Sequence, residues 1–89
     1  MSERWRVEYS ARAMKALRKL DKPLAQRVLN AVNELATLDD PRVRCKALSG
    51  PLIGLWRLRV GNYRVVLDID GAHVTVIVLD AGHRSSVYD

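Results

Sequence analysis

Residues 55–79 read LWRLRVGNYRVVLDIDGAHVTVIVL, and the alternation inside this stretch decides the fold. Apolar side chains recur at every second position through Leu55–Val60, Tyr63–Ile69 and Val74–Leu79, the period of an extended chain with one buried face. Two breaks divide the run, Gly61-Asn62 and Asp70-Gly71. The Asp-Gly pair predicts a type I′ hairpin, because both of its residues tolerate positive φ. Three strands in antiparallel succession are therefore expected in this half of the chain.

Working back towards the start, Trp5 to Tyr9 alternate as a short strand, and Ser10 has the position of an N-cap. The helix it opens is expected to run to about Leu20, with Ala13, Met14, Leu17 and Leu20 on one face. Arg12, Lys15, Arg18, Lys19 and Lys22 surround the rest. Asp21 and Pro23 mark a break and a new start, since proline is tolerated in a first turn. Leu24, Val28, Ala31, Val32, Leu35 and Leu38 then form the stripe of a second helix, stopped by Asp39-Asp40-Pro41. Residues 41–52, punctuated by Gly50 and Pro51, are expected to be a loop. The prediction is one α+β domain over residues 1–89, of order β-α-α-β-β-β, with a helical hairpin packed on a small, mainly antiparallel sheet.

Eighty-nine residues, 48% of them hydrophobic and 28% charged, suit one ordered core. No run approaches the roughly 20 apolar residues of a membrane span, and no apolar signal segment follows the start, so a cytoplasmic protein is expected. Cys45 stands alone, which indicates neither a disulfide scaffold nor a zinc site; a small half-buried residue is the plainer role. The net charge of +5 fits a binder of nucleic acid or of an acidic protein. Residues 1–46 hold eleven Lys/Arg against six Asp/Glu, while residues 47–89 hold four against four. All four of those later cations are arginines: Arg57, Arg59, Arg64 and Arg84.

Alternation puts Trp56, Leu58 and Val60 on the core side of their strand and Arg57 and Arg59 on the other. On the next strand Val65, Leu67 and Ile69 are the apolar set, leaving Arg64 on the same open face as Arg57 and Arg59. Arginines on an open face are often only solvated surface. Three that repel one another also make sense when an anion completes them, and a phosphate matches the planar guanidinium fork. Past the last strand, Gly82-His83-Arg84 and Tyr88 add an imidazole, a fourth guanidinium and a phenol. Together they can neutralise a phosphate, move a proton near neutral pH and stack on a base, which is enough to cut RNA without a metal or other cofactor.

Leu48-Ser49-Gly50, the run from Gly54 through Trp56-Arg57-Leu58-Arg59-Val60-Gly61-Asn62-Tyr63-Arg64 to Val65, and Gly82-His83-Arg84 with Val87-Tyr88 resemble the RelE toxins of the RelE/ParE superfamily. With the element order, the resemblance covers nearly the whole chain. It implies a type II toxin that enters the ribosomal A site and cuts messenger RNA there, leaving a 2′,3′-cyclic phosphate, with an acidic RelB-like antitoxin as its partner. By the same resemblance Arg57 and Arg59 fall where some relatives have lysines that contact the messenger and help deprotonate the nucleophile. Arg64 falls on the arginine that holds the scissile phosphate, Arg84 on the one that serves the leaving oxygen, and Tyr88 on the tyrosine that orients the nucleotide. Arginine, with a pKa above roughly 12, cannot be a general base. His83 is then either the group that moves a proton or one that hydrogen-bonds the turn and positions Arg84.

The resemblance also leaves open a ParE-like gyrase poison with the same fold and no RNA chemistry. Asp68 and Asp70, two apart, offer too few oxygens for a hard cation, and Asp70 belongs to a turn. His73 is expected to be an exposed residue beside that turn, and Trp56 a packing residue. The basic side of the first helix is either solvated surface or a contact for ribosomal RNA.

Overall fold

The computed structural model describes residues 4–83. Its elements are β1 (Arg6–Tyr9), α1 (Ala11–Arg18), α2 (Lys22–Leu35), β2 (Lys46–Ala47), β3 (Trp56–Val60), β4 (Tyr63–Asp70) and β5 (Thr75–His83). The five strands form one sheet in the order β1-β5-β4-β3-β2, in which β1 runs parallel to β5 and every other pair is antiparallel. Two helices on a mixed sheet confirm the α+β prediction. The fifth strand is a correction: Lys46–Ala47 pairs with Arg57 and Trp56 inside the segment expected to be a loop, between 3-10 turns at Pro41–Arg44 and Gly50–Leu52.

Ser10 acts as the expected cap. Its hydroxyl oxygen accepts from the Ala13 amide at 3.0 Å and its hydroxyl donates to the Leu79 carbonyl at 2.9 Å, so the start of α1 is tied to β5. α1 ends at Arg18, two residues before the expected end, and α2 ends at Leu35, three before the last stripe residue, Leu38. Asp21 precedes α2 without a side-chain capping bond, so Pro23 in the first turn marks that start. Val28, Val32 and Leu35 of α2 are buried against Leu58, Val60, Val65, Leu67, Val76 and Val78 of the sheet, and Trp5 and Ala13 close the same core. Trp56 packs against it from the side.

The tight turn lies one connection earlier than the sequence suggests. Val60 pairs with Tyr63 across Gly61-Asn62, and Gly61 adopts φ 58°. At Asp70-Gly71 the expected type I′ turn does not form; residues 71–74 make a longer connection with Val74 at φ 48°. Asp70 explains the choice. Its carboxylate accepts from the amides of Ala72 and His73 and meets the His73 imidazole at 2.8 Å, a local clasp that competes with a two-residue turn.

Candidate functional site

Arg57, Arg59 and Arg64 share the sheet face turned away from the helices, because each alternates with a core residue on its strand. Arg59 stands directly opposite Arg64, and Arg64 stands opposite Gly82 on its other side. In the next row Arg57 faces Val66, which faces Asp80. Gly82 contributes no side chain of its own beside Arg64. Burial grades the three arginines: Arg59 is exposed, Arg57 half-buried, and Arg64 only 4% exposed. Leu48, Val66, Leu52, Leu55 and Leu79 form a small apolar cluster beside them on this face.

β5 carries an irregularity that rearranges the site. Val66 pairs with Asp80 and Leu67 with Val78, so Leu79 is an extra residue, a β-bulge. Leu79 joins the open-face cluster, Asp80 stays on that side opposite Val66, and Ala81 returns to the core. The parity of Asp80 through His83 is therefore reversed. His83 pairs with Tyr63 and lies on the helix side, its ring edge-on to that of Tyr63 at 5.5 Å. The structure thus brings Arg57, Arg59 and Arg64 together and sets His83 on the opposite face. Arg84 and Tyr88, the other residues expected in the site, lie outside the described residues.

Asp80 was not singled out by the sequence, and Arg12 only as part of the basic side of the first helix. The Asp80 carboxylate meets the Arg12 guanidinium of α1 at 3.3 Å and accepts from the Ala81 amide at 2.9 Å. The pair stands at the border between the arginine face and a cleft of about 510 Å³ between α1 and the end of β5, lined by Arg12, Lys15, Lys19, Tyr63, Asp80 and His83 among others. Helical spacing of Arg12, Lys15 and Lys19 was the only signal for that cleft, since the sequence does not say where the helix meets the sheet.

The remaining titratable groups have structural explanations. Burial pushes the Cys45 thiol up to about 11, helped by the charge of Asp40, so it is a poor nucleophile. The hydrogen bond from His73 holds Asp70 below the ordinary carboxylate value, and Arg42 does the same for Asp40. His73 itself is exposed. Among the described residues no three His, Cys, Asp or Glu side chains gather where they could hold one metal ion, and no helix is long and apolar enough to cross a membrane.

Comparison with known proteins agrees with this architecture. Residues 7–88 match the family described as ParE toxin of type II toxin-antitoxin system, parDE. Toxin RelG of Mycobacterium tuberculosis is 35% identical over 85 residues, which cover 92% of this chain and 93% of the relative. Among solved structures, the toxin-antitoxin complex RelBE2 of M. tuberculosis is 36% identical with a TM-score of 0.69, covering 90% of this chain and 98% of that one. The archaeal RelE-RelB complex of Pyrococcus horikoshii is 26% identical with a TM-score of 0.72, covering 94% and 99%. A mutant of the E. coli toxin RelE in the free state, at 23% identity, shares the fold with a TM-score of 0.74 over 92% of this chain and 86% of its own. A helical hairpin on a five-stranded sheet, with the family match over residues 7–88 and a 35% identical relative covering 92% of the chain, makes this chain a type II toxin-antitoxin toxin of the RelE/ParE superfamily.

Proposed function

We propose that this toxin is a ribosome-dependent, metal-independent messenger RNA endonuclease that cuts in the A site and halts translation. The observation that carries the proposal is the arginine face: three guanidiniums on adjacent strands, two of them directly opposed, with Arg64 withdrawn from water. Three guanidiniums on one face match the charge of an RNA backbone, and a buried guanidinium acts on a phosphate far more strongly than a hydrated one.

In the reaction the ribose 2′-oxygen bonds to phosphorus, the bond from phosphorus to the 5′-oxygen breaks, and a 2′,3′-cyclic phosphate remains. The proton of the 2′-hydroxyl goes to water or to a group of the ribosome, since no arginine takes one, and the departing 5′-oxygen takes up a proton. Arg64 holds the scissile phosphate, with Arg59 beside it, and Arg57 steers the neighbouring backbone. Arg84 serves the leaving oxygen and Tyr88 orients the nucleotide, roles that rest on the family resemblance. The arginines stay charged throughout, so they stabilise the pentavalent phosphorus electrostatically and take no proton. His83, turned to the helix side, suits positioning of Arg84 better than proton abstraction.

A small acidic antitoxin of the RelB kind is the expected partner; the M. tuberculosis and P. horikoshii relatives were solved as the complexes RelBE2 and RelE-RelB. A net charge of +5 and a partly exposed Met14 in an apolar groove with Tyr9, Leu17 and Leu29 fit an acidic amphipathic segment. The second reading, a gyrase poison, is favoured by the ParE family match over residues 7–88. Ribosomes programmed with a defined messenger and incubated with the toxin separate the two. Cuts within the A-site codon that carry cyclic phosphate ends, abolished by antitoxin, are expected. An intact messenger together with arrested gyrase supercoiling would establish the second reading.

A further inference from the structure

The cleft between α1 and the end of β5 has no part in the arginine site as described, yet its lining is chemically specific. Arg12, Lys15 and Lys19 sit at i, i+3 and i+7, so α1 presents three cations to one side. The opposite wall is the edge-on pair Tyr63 and His83, with rings 5.5 Å apart. His83 is exposed, so a flat ring has access to it. One anion, Asp80, is already engaged by Arg12 at 3.3 Å. The volume, about 510 Å³, is in the range of sites that hold a ligand of nucleotide size.

The cleft is also continuous with the arginine face. Asp80 and Gly82, which line it, stand opposite Val66 and Arg64 in the sheet, and the Arg12–Asp80 pair borders both surfaces. A strand of RNA leaving Arg64 would pass Gly82, which pairs with Arg64 and also lines the cleft, on its way to α1. Cations for a phosphate on one wall and aromatic rings for a base on the other are the two components of sequence-tolerant single-strand binding.

We infer that this cleft is a second RNA subsite, taking a nucleotide that flanks the cut, with its phosphate at Lys15, Lys19 and Arg12 and its base against the Tyr63–His83 pair. The inference rests on RNA being the substrate. Asp80 acts here as a positioning residue: it fixes the Arg12 guanidinium at the junction of the two surfaces.

The test uses the full chain and a fluorescein-labelled, 2′-O-methylated octauridylate, which cannot be cut, titrated by anisotropy across a range of salt. Lys15→Ala/Lys19→Ala removes two phosphate contacts. For single-stranded nucleic acid this should lower the log–log salt slope by about 1.4 and weaken binding roughly 25-fold at 0.1 M salt. Arg6→Ala/Arg27→Ala, which removes two exposed charges elsewhere, should change both far less. The chain has only two histidines, so proton NMR locates the ligand: the ring resonances of His83 should shift on titration, while those of His73, in the β4–β5 connection, stay still.

Equal losses in the two double variants, an unmoved His83, or an identical response to octaglutamate would overturn the inference. Octaglutamate would in that case mark the cleft as a surface for acidic protein. The two proposals separate cleanly: a toxin that binds the oligonucleotide in this way but leaves ribosome-bound messenger intact sinks the nuclease reading and keeps the subsite. A toxin that cuts messenger and shows none of this binding does the reverse.

Discussion

Arg64→Ala should reduce messenger cleavage far more than either neighbouring arginine substitution, and burial sets the order. A unit charge about 4 Å from a phosphate interacts with it by about 4 kcal/mol at an effective dielectric near 20 and by about 1 kcal/mol in bulk water. Arg64, 4% exposed between β3 and β5, approaches the first regime, while exposed Arg59 approaches the second. At ~1.4 kcal/mol per decade of rate, the loss for Arg64→Ala is about 10²- to 10³-fold, similar to removal of a preorganised oxyanion donor. Arg59→Ala should lose about fivefold by the same scale, and half-buried Arg57 should fall between. Arg64→Lys keeps the charge and loses the planar fork, so it should recover part of the rate. Single-turnover cleavage on programmed ribosomes, with thermal melts showing that each variant folds, measures all four. A loss at Arg59 equal to that at Arg64, in folded proteins, would refute the ranking and the claim that burial strengthens the site.

His83→Gln should leave the pH profile of single-turnover cleavage unchanged, because His83 lies on the helix side beside Tyr63; a flattened profile would make it a proton carrier after all. Two substitutions at positive φ should move thermal stability in opposite directions. Gly61→Ala, at φ 58° and with its new Cβ 3.2 Å from the Arg27 guanidinium, should lower Tm, while Val74→Asn, at φ 48°, should raise it. The scale is about 1 kcal/mol each, or roughly 4–8 °C for a domain of this size. Cys45, with its thiol pushed up to about 11, should react with a disulfide reagent at pH 8 about 10²-fold more slowly in the native protein than after unfolding. Asp70 is held below its ordinary 3.8, so its contribution to stability is present above that value and is lost as pH falls through the lowered one. Tm measured from pH 6 to 3 should therefore fall less steeply in Asp70→Asn than in wild type.

Period-two alternation in Leu55–Leu79 located β3, β4 and β5 because each buries one face on the helices, and a one-residue slip would have exposed that whole face. The same alternation placed Arg57, Arg59 and Arg64 together correctly. β2 was illegible because two residues carry no period; Lys46 and Ala47 pair only because β3 offers them an edge. The turn at Asp70 was misjudged because the side chain competes with the backbone, an outcome a dipeptide rule ignores. The bulge at Leu79 left the deepest gap. Apolar residues run unbroken from Val76 to Leu79, so nothing in their order signals an extra residue. That single insertion turns Asp80 towards the arginines and His83 away from them, and only the register against Val66 and Leu67 reveals it.

The pairing of β1 with β5 bears on how the molecule comes into being. Among the described residues β1 has no neighbour in the sheet except β5, so the first strand made waits for a late one before it can be covered. Ser10, which starts α1, is bonded to Val78 and Leu79 of that same late strand, and the first helix is seated only with it. Helices can form early on the emerging chain, but closure of the longest loop must await residues 75–83. The sheet that carries the arginine face thus closes only after residues 75–83 have emerged, which gives an antitoxin made alongside the toxin time to be present when it forms.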